Sequence, residues 1–146
     1  GLMSFINITL VRDSVDFGSK LPGAQNDTTG SSYLPLLMRN DGNRFVNVSI
    51  LNATDLWVSA GFKNPTGNYQ FKADVNEPGS FNLSQSNTAW TNVPNTTSEA
   101  FVFSTLNYSD ASDTGEIDIY IHVPSQEPPG QRSSTIVFLA RLANDN

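Results

Sequence analysis

The sequence predicts an all-β chain, an antiparallel β-sandwich of immunoglobulin-like or jelly-roll type, and three observations carry that prediction. Short apolar runs recur with a period of two. Clusters of Gly, Pro, Asn and Asp separate them. No stretch offers a convincing helical apolar face.

Residues 2–11 read as a first strand, with Ile6, Ile8 and Leu10 on one face and Phe5, Asn7, Thr9 and Val11 on the other. Apolar residues on both faces suit a strand covered on more than one side. Residues 13–32 form a long polar loop, anchored by Val15 and Phe17, with room for one short strand. A second strand spans 33–39; Pro35 has no N–H for a ladder, so the strand lies at an edge or begins after it. Asn40-Asp41-Gly42-Asn43 tolerates the positive φ of a tight hairpin turn. It leads into 45–51, where Val46, Val48 and Ile50 face inward while Asn47 and Ser49 face water.

Residues 61–68 are a turn-rich connection, 69–73 a short alternating strand, and 77–79 another turn. The segment 80–94 is ambiguous, with Phe81, Leu83 and Trp90 expected in the core, as is Trp57. A buried strand follows at 100–106. The clearest alternation puts Ile117, Ile119, Ile121 and Val123 inward and Glu116, Asp118, Tyr120 and His122 outward. Prolines in 124–130 stop that strand, and 135–142 is the last. The count is about eight strands with turns between them. No linker divides the sandwich, so the expected organisation is a leading strand at 1–12 and a single domain at 13–146.

Bulk composition narrows the role. With a formal net charge of -6 and scattered Lys and Arg, the chain has no basic stripe for nucleic acid. Charged residues are only 15% of the chain, and Asn, Ser and Thr supply the polarity instead. A surface of amides and hydroxyls fits an exported protein. The absence of cysteine removes disulfides, thiolate chemistry and Cys-based zinc sites. No apolar run approaches the length of a membrane span. The reading is an extracellular or cell-surface protein whose signal peptide has been removed.

The acceptor triplet Asn-X-Ser/Thr begins at Asn7, Asn26, Asn47, Asn52, Asn82, Asn95 and Asn107, while Pro65 disqualifies Asn64. Composition alone would produce about three such triplets, so N-linked glycans are expected on some of them. Catalytic signals are missing. The single His122 has no cluster around it, no Gly-X-Ser-X-Gly elbow occurs, and Gly-rich phosphate loops are absent. Asp13 with Asp16, and Asp110 with Asp113 beside Asp118, are oxygen-rich loops of the kind that hold calcium, although Asp is equally an ordinary turn residue. No metal ligand set and no cofactor besides the glycans is assigned, and the chain is not expected to be an enzyme.

The first strand is separated from the next by about twenty polar residues, beyond usual hairpin loops. It can close its own sandwich or complete a neighbour's sheet. Several segments in order then suggest a family: Val15-Asp16-Phe17-Gly18, the Asn40-Asp41-Gly42-Asn43 turn, Asp55-Leu56-Trp57, Val123-Pro124, Glu127-Pro128-Pro129-Gly130 and Thr135-Ile136-Val137-Phe138. Together they resemble archaeal cell-surface β-sandwich proteins, the class that includes bundling-pilus subunits and the TasA and camelysin biofilm fibre proteins. That resemblance implies polymerisation by donation of an N-terminal strand, here Phe5, Ile6, Ile8, Leu10 and Val11. Camelysin-type proteins have been described as proteases, but no metal or nucleophile signature for that activity maps onto this chain. The expected partners are identical subunits in a homopolymer, with neighbouring filaments or a cell surface beyond them. The alternative is a monomeric carbohydrate- or cell-binding module; a secreted hydrolase ranks far below both.

Overall fold

The structure is a computed structural model that describes residues 3–143. Leu2, at the start of the expected first strand, lies outside the described residues. Nine strands are present among them: β1 Ile8–Arg12, β2 Gln25–Asp27, β3 Leu36–Asn40, β4 Val46–Ala53, β5 Tyr69–Val75, β6 Thr91–Asn92, β7 Ala100–Leu106, β8 Thr114–His122 and β9 Ile136–Leu142. Single 3-10 turns occur at Leu83–Gln85 and Asp110–Ser112. No helix is long and apolar enough to cross a membrane.

All pairings are antiparallel. A six-stranded sheet runs β1-β3-β8-β5-β6, with β2 pairing the far end of β8, and a three-stranded sheet runs β7-β4-β9. Together they form the expected all-β sandwich. Met38, Phe71, Ile117, Ile119 and Ile121 come from the larger sheet, and Val46, Val48, Ile50, Val102 and Phe103 from the smaller, to make one core. Each fully buried side chain of this size contributes about 1.5–3 kcal/mol. Gly115 sets how closely the sheets approach, because a Cβ there would fall 2.7 Å from Phe103 Cζ.

Pro35 immediately precedes β3, and the alternating isoleucines of β8 are buried as their spacing requires. Other expectations need correction. The Asn40–Asn43 turn does not close a hairpin: β3 belongs to the larger sheet and β4 to the smaller, so the turn carries the chain between layers. Asn40 is 1% exposed, and its Nδ2 donates to Arg44 O at 2.9 Å and Leu106 O at 3.0 Å. A buried amide thus satisfies the carbonyls that a hairpin ladder would otherwise have used.

Ser49 does not face water. As the central strand of its sheet β4 has neighbours on both sides, and Ser49 is buried between Phe101 and Leu139. Asp118 also points outward from β8 yet is 1% exposed, covered by Thr28 from the segment after β2. Trp57 is in the core, whereas Trp90 packs against Tyr120 on the outer face of the larger sheet, with Lys72 over its ring. Leu83 is exposed and only Phe81 of that segment's expected core trio is buried. In 100–106, expected to be buried, Phe101 is left on the outer surface.

Replacing Asn40 with alanine strands the buried Leu106 carbonyl and the part-buried Arg44 carbonyl. With a buried unpaired group costing about 1–3 kcal/mol and a part-buried one less, Asn40→Ala should lower unfolding stability by about 2–4 kcal/mol, read from the urea midpoint at unchanged m-value.

Candidate functional site

The two sheets differ in width, so the β1–β3 side of the larger one overhangs the smaller. Between the overhang and β9 lies an open cleft of about 1230 Å³. Leu10, Leu36 and Ile121 line it from one sheet and Ile136 and Phe138 from the other, and Val15 and Phe17 reach in from the loop after β1. Val15 and Phe17, expected as anchors, pack partly buried against the core here, and Phe17 stacks on Tyr33. Tyr69 lines the cleft from β5; burial pushes its phenol up to about 12, and its hydroxyl donates to Ser134 Oγ at 2.9 Å.

Strand edges on this side are bare. Among the described residues β1 pairs only with β3 and β9 only with β4. On the opposite side, β7 is covered by backbone and side-chain bonds from Asn82, Ser86 and Asn87, and β6 is two residues long. Unpaired N–H and C=O rows are where another chain adds to a sheet.

The segment resembling a donor strand is docked on its own domain. Ile8, Thr9, Leu10 and Arg12 pair with Asn40, Arg39, Met38 and Leu37, and Ile8 and Leu10 pack partly buried against the core. Thr9 Oγ1 also donates to Asp41, whose carboxyl is held below its usual range by Arg39 and then by Thr9. Phe5, Ile6 and Val11 are exposed. Residues 3–7 run beside the inter-sheet turn, where Phe5 O accepts from Asn43 N, Asn7 O accepts from Asp41 N, and Gly42 leaves room for the Phe5 carbonyl. The arm is therefore held by backbone and polar bonds, with Phe5 and Ile6 directed away from the core.

The far wall of the cleft is the loop after β8, fastened by Glu127. This side chain is 3% exposed and accepts from Val58 N, Ser59 N, Ser59 Oγ and Arg132 Nε. Burial alone would raise its pKa, but the bonds from Ser59, Arg132 and Val58 outweigh it and hold the carboxyl down at about 2. A second buried carboxyl lies on the other side of the larger sheet. Thr28 Oγ1 donates to Asp118 Oδ1 at 2.8 Å and accepts from Ile119 N at 3.0 Å, while Asp118 Oδ2 has no donor. Burial and then the neighbouring Asp74 carboxyl raise the Asp118 pKa, against the weaker pull of Thr28 and Lys72.

The acceptor asparagines all lie at the surface, exposed or partly so. Asn7 is on the arm and Asn26 in β2, where its triplet's Thr28 is buried on Asp118. Asn47 Oδ1 accepts from the backbone of Thr105, a non-glycine residue with φ of 51° at a bulge. Asn82 caps a 3-10 turn, Asn95 Oδ1 accepts from Thr97 and Ser98, and Asn107 bonds Tyr108, Ser109 and Ser112. At these last three positions an Asn followed by a hydroxyl residue is also turn chemistry. Asn52 is the acceptor in β4 whose side chain makes no hydrogen bond within the fold.

The acidic loops do not converge: Asp113 is buried beside Glu77 and Asp110, while Asp118 is in the separate Asp74 pair. Among the described residues no group of three or more His, Cys, Asp or Glu side chains is placed to hold a metal ion. His122 is partly exposed on the outer face of β8, opposite Gln25. Sequence reasoning missed Glu127, Asp74 and Asn40, polar side chains whose partners are distant in the chain. No protein-family model matches this chain, and no curated protein or solved structure matches it either.

The two carboxyl sites have opposite pH signatures. Glu127 binds protons less tightly when folded, so its contribution is present above its ordinary value of 4.5 and is lost as pH falls through about 2. Asp118 binds protons more tightly when folded, so its contribution is complete below 3.8 and is lost as pH rises towards neutrality. Urea midpoints measured across this range should therefore fall on both sides. Glu127→Gln should flatten the acid limb and Asp118→Asn the limb towards neutral pH.

Proposed function

We propose that this chain is the repeating structural subunit of an extracellular, N-glycosylated filament, joined when the N-terminal strand of one copy pairs with the next. The observation that carries the reading is the place of β1 at the edge of the larger sheet, a leading strand held by one ladder to β3 and followed by a long polar connection. In the free subunit β1 occupies the edge of its own β3. In the filament the same edge takes the strand of another copy, so nearly every contact is recovered and little free energy separates the two states. Passed head to tail with a rotation that does not close, such an exchange propagates as a fibre. The resemblance to filament-forming surface sandwiches supports the same reading, as does the predominance of amide and hydroxyl side chains over charged ones.

A second reading, a monomeric carbohydrate-binding module, is favoured by one feature. Trp90 and Tyr120 pack at 5.7 Å between centroids on the outer face of the larger sheet, near Gln25, Gln70 and Asn92. A ring already covered by Lys72 leaves less of that platform for a sugar.

The chain has no cysteine, so an introduced pair reports strand exchange directly. Thr9 and Arg39 are cross-strand partners. In Thr9→Cys, Arg39→Cys protein, oxidised filaments should give a ladder of covalent multimers, whereas free subunits should close the bond within one chain. Removing residues 1–12 should abolish filaments under the electron microscope. Filaments that crosslink only within chains, or that form without residues 1–12, overturn strand exchange; native material that is monomeric and binds glycans favours the second reading.

A further inference from the structure

The outer face of the three-stranded sheet carries several exposed apolar side chains among its polar ones, where a solvent-facing sheet is ordinarily polar. Asn52 lies opposite Val137, and Ser49 lies opposite Leu139 on one side and Phe101 on the other. Residues paired directly across a ladder project to the same face, so Asn52, Val137, Leu139 and Phe101 share this surface. Leu51 joins them at the register shift between Ile50 and Asn52. Leu51, Phe101 and Val137 are 36%, 39% and 41% exposed, and they form one patch rather than scattered single residues.

One acceptor triplet opens on this patch with its amide uncommitted. Asn52 makes no side-chain hydrogen bond within the fold, and Thr54, two residues on, is exposed. Asn47 lies on the same face opposite Arg141, but its Oδ1 is engaged by Thr105 and its triplet's Ser49 is buried. The cleft between β1 and β9, by contrast, is lined by no asparagine at all.

We propose that Asn52 carries an N-linked glycan whose first sugars lie across Leu51, Val137 and Phe101, so that covalently attached carbohydrate covers this face. The inference rests on the glycosylated reading given above. Attachment joins Asn52 Nδ2 to the anomeric carbon of a glycosyl diphosphate, breaks that carbon's bond to the phosphate oxygen, and passes one amide proton to the departing diphosphate. Three residues along a strand and one strand across amount to about 11 Å, a span that two or three sugars cross. The C–H faces of the sugar rings meet aliphatic and aromatic carbon, while their hydroxyls stay in water.

The test uses protein isolated from the cells that produce it. Glycopeptide mass spectrometry reads occupancy at Asn52, and anilinonaphthalenesulfonate fluorescence reads the exposed patch. Most molecules should carry sugar at Asn52. Dye fluorescence should rise several-fold in Asn52→Gln and in chemically deglycosylated wild type, and should return to the starting level when Phe101→Ser is added to Asn52→Gln. The deglycosylated wild type keeps the comparison valid if a variant folds poorly. An unmodified Asn52 overturns the inference; modification at other triplets would leave the glycosylated reading standing, and modification at none would remove it too. Occupied Asn52 with no gain in dye binding after sugar removal overturns the cover alone.

Discussion

At a strand spacing of about 4.8 Å, a three-stranded layer cannot cover a sheet five strands wide, in which β2 and β3 share one edge of β8, and this mismatch shapes the rest of the molecule. Where β7 and β4 lie over β5 and β8, the two layers make a closed core around Met38, Phe71 and Phe103. Where β9 ends the smaller sheet, Leu10, Leu36 and Phe138 are left around an open cleft. The loops after β1 and β8 partly wall this gap with Val15, Phe17 and the Glu127 clasp, without adding a strand to either bare edge. A sandwich built this way is stable in its middle and unfinished along one side, which is why that side carries the functional argument.

Buried polar groups join what the ladders do not. Asn40 ties the inter-sheet turn to β7, Glu127 ties the β8–β9 loop to Val58 and Ser59, and Thr28 with Asp118 ties the segment after β2 to the middle of β8. Each is a side chain serving backbone or side-chain groups far away in sequence. Such networks stabilise when every member is satisfied. Asp118 is buried beside Asp74 with one carboxyl oxygen lacking a donor, so its contribution depends on pH in a way the Asn40 bonds do not.

The first strand is an edge strand docked on its own domain. Its inner residues Ile8 and Leu10 pack on the core, yet its outer edge is free and Phe5 and Ile6 ahead of it are exposed. The sequence left two places open for this strand, its own domain or a neighbour's, and in the free chain it lies on its own β3. The acceptor triplets also differ: the side chains of Asn82, Asn95 and Asn107 cap or turn the backbone, whereas that of Asn52 makes no hydrogen bond among the described residues.

Local chemistry was enough to determine the fold class and most strand positions. Pro35 marked the start of β3, the isoleucines of β8 announced its buried face, and the prolines of 124–130 ended it, because each of these effects acts over a few residues. Which sheet each strand joins was decided only by the tertiary structure. The Asn40–Asn43 turn is chemically a good hairpin turn, but its amide bonds to Arg44 and Leu106 send β4 to the other layer. Ser49 and Asp118 follow the alternation that sequence assigns them and are buried all the same, since burial of an outward side chain depends on what neighbouring strands and loops bring over it. Periodicity tells a residue's face; only the packing of distant segments determines whether that face meets water.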